Sequence, residues 1–241
     1  FFIKTRLVPK ARGLLVQAEK MAREPQRRVF LQRMLKKFDQ LQSSLGQHRV
    51  PAVEESTQEW TEVSSTHWEK SLLFKNFMKV SDWRSFARDT VAEQQTQASF
   101  MQDGEFLYIR VQAFDSDPSA VVVVPFQQQP CFPNGDRVEL LFGTRPRLYV
   151  ALGPNGTFYS RPELSQWRHQ VVKQSDGWVA LMAIPFKELP FDNQSGLLPM
   201  RVGRVFRLRG EEREESSFNG ASLYNNHESF WANLQMEGKN E

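Results

Sequence analysis

The sequence predicts a mainly β fold: an antiparallel β-sandwich of about ten strands preceded by an N-terminal α-helical pair. Three observations lead there. From Trp68 onward, short apolar runs are separated by turn residues, with no alternating helical segments between them. The first 45 residues instead repeat apolar side chains at spacings of three, four and seven. The charge divides at nearly the same place. Residues 1–50 hold 12 Lys or Arg against 3 acids, a net +9, and the remainder holds 19 against 25, a net −6. Stretches of such different composition are usually separate structural units.

The helical unit is assigned to 1–46. Leu7, Leu14, Leu15, Ala18, Met21 and Ala22 recur at helical spacing; after Glu24-Pro25 the pattern resumes with Leu31, Met34, Leu35, Phe38, Leu41 and Leu45. Proline fits a helix's first turn and not its interior, so two helices meeting at Pro25 are expected and not one rod. A basic pair of this size cannot close a core alone. It must lie on the second unit or on another domain. Residues 47–66 are polar, with Pro51 and several Glu, Ser and Thr, and read as a linker or a long ordered crossing segment.

The sandwich is assigned to 67–241. Its candidate strands are Thr96–Met101, Phe106–Ala113, Ala120–Phe126, Arg137–Gly143, Arg147–Leu152, Gly156–Ser160, Gln170–Lys173, Trp178–Pro185, Met200–Arg209 and Phe230–Met236. Gln102-Asp103-Gly104, Asn134-Gly135-Asp136, Pro154-Asn155-Gly156 and Ser175-Asp176-Gly177 supply the turns. The Arg/Glu-rich stretch from Arg207 to Glu215 reads as an exposed hairpin or loop. About 170 residues can bury a substantial core without disulfides or metals.

Composition excludes several classes. Hydrophobic residues are 40% and charged residues 24% of the chain, the proportions of an ordinary globular protein. No run approaches the ~18–20 apolar residues of a membrane span, and the longest, Ala120 to Phe126, has the length of a strand. The single cysteine, Cys131, leaves no internal disulfide and no Cys-based zinc site. Because the chain opens at Phe1 and not at Met, it is expected to be a piece of a longer polypeptide, with the upstream domain as a partner.

The sequence has no G-x-S-x-G elbow, no phosphate-binding glycine loop, no G-x-G-x-x-G and no H-E-x-x-H. Its four His share no spacing that would place two on one helix face. No catalytic residue is assigned. Nucleic acid is not expected as a partner, because the basic residues are spread around the helices and aromatics for base stacking are lacking. Asp115 and Asp117 can offer oxygen ligands to a structural calcium; no other cofactor is expected.

The most informative segment is Asp136-Arg137-Val138-Glu139-Leu140-Leu141-Phe142. In a strand, Val138, Leu140 and Phe142 share one face, while Arg137, Glu139 and Leu141 share the other. Glu139 is then either a solvated surface residue or a carboxylate held on a rigid sheet and aimed at ligand hydroxyls.

In its sequence context this segment resembles the carbohydrate-binding module family 9-like domains, a sandwich group related to the DOMON fold. The resemblance rests on Trp68-Glu-Lys-Ser71…Phe77, Thr96 with the Asp103-Gly104 turn and Leu107-Tyr108-Ile109-Arg110-Val111, and Asp136-x-Val138-Glu139-Leu-Leu-Phe. It continues through Tyr149 to Gly156, Asp176-Gly177-Trp178…Ala183-Ile184-Pro185-Phe186…Leu189, Val202-Gly203-Arg204-Val205-Phe206-Arg207 and Phe230-Trp231-Ala232-Asn233-Leu234. Arg204 stands where Asn is common in the family. The matching motifs span residues 66–237 in order.

The resemblance implies a non-catalytic module that holds a sugar ring between two aromatics. A pyranose presents C–H groups to an aromatic face, and its hydroxyls need donors and acceptors in fixed geometry. The implied ligand-binding set is Phe132, Glu139, Arg147, Tyr149, Tyr224 and Asn225. Phe132 and Tyr224 replace Trp, and Tyr149 replaces a basic residue whose charge Arg147 can supply from the same strand face. The family context implies an extracellular or periplasmic bacterial protein acting on polysaccharide, with this module at its C-terminal end. The alternative is an accessory sandwich whose sugar site has decayed. A haem-holding DOMON domain would need a Met or His axial pair, and the sequence leads us to expect none in the β unit. Trp68 and Trp178 are expected in the core, with Trp83 and Trp167 as candidate exposed platforms.

Overall fold

The computed structural model describes residues 2–44, 47–53, 59–63, 65–80, 91–118, 135–143, 147–191, 196–207, 213–220 and 231–236. Two helices come first, α1 (Phe2–Met21) and α2 (Pro25–Ser44), with Pro25 as the first residue of the second. Its fixed φ and missing N–H cost nothing there. Polar pairs tie the helices together: Arg12 Nε donates to Asp39 Oδ1 at 2.6 Å and Gln32 Nε2 to Glu19 Oε1 at 3.0 Å.

Thirteen described strands follow: β1 (Gln47–Val50), β2 (Leu72–Phe74), β3 (Met78–Lys79), β4 (Thr96–Gln102), β5 (Phe106–Phe114), β6 (Arg137–Phe142), β7 (Leu148–Leu152), β8 (Phe158–Arg161), β9 (Arg168–Gln174), β10 (Gly177–Pro185), β11 (Leu197–Arg207), β12 (Arg213–Ser217) and β13 (Ala232–Met236). They form two sheets. The larger runs β1-β13-β11-β6-β7-β8, with β12 also on β11 and β3 on β12; the smaller runs β2-β4-β5-β10-β9. All the pairs are antiparallel except β1 with β13. The predicted strand Ala120–Phe126 lies outside the described residues.

Between the sheets, Val138, Leu140 and Phe142 of β6 meet Ala98 and Phe100 of β4, Ile109 and Val111 of β5 and Ala180 and Met182 of β10. The period-2 reading of β6 therefore has the correct face inward. Trp178 is buried in this layer.

A second apolar layer lies on the other face of the smaller sheet. Met101, Tyr108, Val179, Leu181 and Ala183 point away from the sandwich core, and Trp60 and Trp68 cover them. Trp60 stacks on the Tyr108 ring at 5.3 Å. This cover accounts for the burial of all nine residues of β10, where a strand with one wet face would alternate. The segment 47–53 leads from one sheet to the other: β1 pairs with β13 in the larger sheet, and Val53 N–H then donates to Gln102 C=O of the smaller sheet at 2.7 Å.

Candidate functional site

The side of the larger sheet turned away from the core carries the residues of interest. Alternation along its strands places Arg137, Glu139 and Leu141 of β6 there, with Tyr149 and Ala151 of β7, Tyr159 and Arg161 of β8, and Arg201 and Gly203 of β11. Strand register sets them in rows. Arg201 lies opposite Leu141, Leu141 opposite Tyr149 and Tyr149 opposite Arg161; in the next row Gly203, Glu139, Ala151 and Tyr159 follow in order.

Glu139 is fully buried and accepts from Arg137 Nε at 2.6 Å. It is therefore half of a buried ion pair and not a solvated side chain. Gly203, directly across from it on β11, adds no side chain on that side of the carboxylate. Arg137 Nη1 also donates to the Gly135 carbonyl at 3.3 Å, which fixes the guanidinium at the entry to β6.

Beside this pair lies a cationic and aromatic cluster. Trp231, immediately before β13, is 1% exposed, and the Arg201 guanidinium sits 4.6 Å from its ring centroid. The Arg147 guanidinium sits 5.9 Å from the same ring. Arg201 is itself 2% exposed, while Arg147 is exposed. Burial, followed by the charge of Arg147, lowers the Arg201 pKa to about 10, so its guanidinium remains a cation at neutral pH. Tyr149 and Tyr159 are half-buried and meet edge-on at 5.8 Å.

Among the described residues no three His, Cys, Asp or Glu side chains converge, and no described helix is long and apolar enough to cross a membrane. Asp115, read as a calcium-ligand candidate, faces the Arg204 guanidinium instead.

Solved structures that share this fold include two sugar complexes. One is a carbohydrate-binding module family 9 domain from Caldicellulosiruptor kristjanssonii in complex with glucose: TM-score 0.56, 11% identity, covering 81% of this chain and 98% of that one. The other is a module of the same family and organism in complex with cellotriose: TM-score 0.55, 12% identity, covering 81% and 96%. The fold is that of the family 9 carbohydrate-binding modules. No family model matches the sequence, and no curated protein matches it either.

On this family 9-like sandwich, the residues expected to bind divide into two groups. Glu139, Arg147 and Tyr149 share the outer side of the larger sheet, Glu139 at its buried centre, Tyr149 against Tyr159 of β8, and the Arg147 guanidinium reaching toward Trp231. Phe132, Tyr224 and Asn225 lie outside the described residues, as does Trp83. The sequence reading missed Arg137, Arg201 and Trp231. Alternation could have found Arg201, since it falls between Met200 and Val202, both inward-facing.

Trp167, a candidate platform, is half-buried and forms part of an aromatic cluster near the sandwich's open side. Its ring lies 4.4 Å from His169 and 5.4 Å from Phe158. A groove of about 610 Å³ runs beside it, lined by Pro154, Asn155, Gly156, His169, Gln170, Val171 and Lys173. The structure sets Met182 of β10 directly across from His169, a pairing the sequence reading did not expect. Burial holds the His169 pKa below its ordinary value. A depressed histidine pKa gives stability that is present above the ordinary value, near 6.5, and is lost as pH falls through the folded value. The melting temperature is therefore expected to fall more between pH 7 and pH 5 in the parent protein than in His169→Phe. Equal slopes would dismiss the assignment.

Proposed function

We propose that the chain is a non-catalytic carbohydrate-binding module that takes its ligand on the outer side of the larger sheet. The single observation that carries this reading is the surface formed by Arg147, Tyr149, Tyr159 and Arg161, backed by Arg201 and Trp231, on a fold shared with modules solved around glucose and cellotriose. Flat aromatic rings suit the C–H face of a sugar, and guanidinium groups donate to its hydroxyls. Phe132 and Tyr224 are the proposed stacking partners, with Asn225 donating at the ring's edge. The module would serve an extracellular or periplasmic polysaccharide-acting protein, with another domain of that polypeptide doing the chemistry.

The buried Arg137–Glu139 pair favours a second reading, an accessory sandwich whose sugar site has closed. Isothermal titration against glucose, cellotriose and xylo-oligosaccharides separates the two. Binding is expected, and Arg147→Ala and Tyr224→Ala should each weaken it about tenfold or more. Absence of heat with every glycan, in protein that melts cooperatively, would leave the accessory reading alone.

A further inference from the structure

The smaller sheet ends on a long open strand. Of the four strands that end the two sheet paths, β1 and β8 have four residues and β2 has three, while β9 has seven. Its register with β10 runs one-to-one from Gln174–Gly177 to Arg168–Ala183, and it contains no proline. The pair Gln174–Gly177 closes a two-residue turn and exchanges backbone hydrogen bonds, as do alternate pairs back to Arg168–Ala183. The N–H and C=O groups of His169, Val171 and Lys173 therefore point away from β10. No described residue bonds to them. Such a row is a template for a further strand.

The groove beside Trp167 supplies space next to that row. His169, Val171 and Lys173 lie across from Met182, Ala180 and Trp178, which all face the core, so their side chains share that side of β9. They line the volume of about 610 Å³ together with the turn Pro154–Gly156. A strand added to β9 sets its alternate side chains in this space while its backbone takes up the open row. Charge selects among strands. β9 carries two cations, Arg168 and Lys173, and no acid. Lys173 is exposed and makes no ion pair with any described residue. An apolar strand laid here covers an ammonium without a counter-charge, and a second copy of β9 brings two more cations to the edge. A carboxylate placed beside Lys173 reverses that balance.

We propose that β9 and its groove form a docking edge for an extended acidic peptide segment of another protein, which lengthens the smaller sheet and sets a carboxylate beside Lys173. The site lies apart from the outer side of the larger sheet and does not depend on the glycan reading. The probe is a labelled peptide of about eight residues alternating valine with glutamate and threonine. In fluorescence anisotropy it should bind about tenfold or more tightly than the same peptide with lysine in place of glutamate. Methylating its backbone nitrogens should abolish binding, and Lys173→Glu should reverse the preference between the acidic and basic peptides. Hydrogen exchange followed by NMR reads the edge directly: with the acidic peptide the amides of His169, Val171 and Lys173 should slow about tenfold or more, while those of Gln170 and Val172 stay unchanged. No binding, equal binding of the two peptides, or binding that survives methylation overturns the proposal. Slow exchange of the three amides in the free protein, lost on dilution, would put a second copy on the edge, and slowing by cellotriose would make the groove a glycan subsite. Either result also overturns it.

Discussion

Arg204→Met is expected to lower the melting temperature by on the order of 10 °C, the effect of removing one partner from a buried ion pair in a domain of this size. Arg204 is 1% exposed, and its guanidinium serves three acceptors at once. Nε donates to Asp136 Oδ1 at 3.0 Å, Nη2 to Asp136 Oδ2 at 2.7 Å and Nη1 to the Phe114 carbonyl at 2.7 Å, while Nη2 also meets Asp115. Trp178 Nε1 completes the cluster by donating to Asp136 Oδ2 at 2.9 Å. Methionine fills much of the same volume but strands two buried carboxylates. Lysine keeps the charge but cannot form the bidentate fork, so Arg204→Lys should recover only part of the loss.

The pH dependence supplies a second readout for that variant. Burial already pushes the Asp115 carboxyl up even with Arg204 beside it. Without the guanidinium the folded-state pKa of Asp115 rises further, and a carboxyl with a raised folded pKa loses stability as pH rises through that value. The deficit of Arg204→Met should therefore be larger at pH 7 than at pH 4.5. A deficit independent of pH, or one of only a degree or two, would show that the cluster is not an electrostatic tie.

Legibility in the sequence followed the kind of force holding each element. Strands β4 to β7 and β9 to β11 carry apolar side chains toward a core, so the period-2 pattern marks them, apart from boundary shifts of one to three residues. Strand β1 reads Gln-His-Arg-Val and β12 reads Arg-Glu-Glu-Ser-Ser, and neither shows such a pattern. They exist because backbone groups of β13 and β11 accept and donate to them. Glu214 adds to this by accepting from the Glu93 and Gln94 N–H groups at 3.1 and 3.2 Å. The second apolar layer was hidden for a related reason. Met101, Tyr108, Val179 and Leu181 were visible as strand residues, but their cover comes from Trp60 and Trp68, well before them in the chain.

The site divides in the same way. That Glu139 stands on the face opposite Val138 follows from local geometry, and the strand has that form. Its burial beside Arg137 depends on everything packed against that face, which no local pattern encodes. Arg147, Arg201 and Trp231 lie far apart in sequence and meet because β13 and β6 flank β11, with β7 beyond β6. Such a cluster becomes legible only once strand order is known.

Gly177→Ala is expected to destabilise the sandwich by about 3 kcal/mol or more, since it combines an unfavourable backbone with an atomic clash. Gly177 opens β10 at φ +145, and a Cβ there would lie 2.0 Å from the Ala113 carbonyl oxygen and 3.1 Å from the Phe114 Cα. Both obstacles are backbone, so no rotamer change relieves them. Strand β5 would have to move away from β10 at the pair Gly177–Phe114, next to the bond from Asp115 N–H to the Asp176 carbonyl at 2.8 Å. Because the Phe114 carbonyl and Asp115 both bind Arg204, the displacement reaches the buried cluster that anchors Asp136 at the head of β6, and hence the strand bearing Arg137 and Glu139. Gly156→Ala is the control: its φ is +83, but a Cβ there meets nothing within 4 Å. Left-handed strain alone costs about 1–2 kcal/mol, so thermal melts should show the smaller loss at Gly156 and the larger at Gly177. Equal losses at the two positions would mean that β5 yields to the new methyl group, and that the β5–β10 pairing does not hold the Arg204 cluster in place.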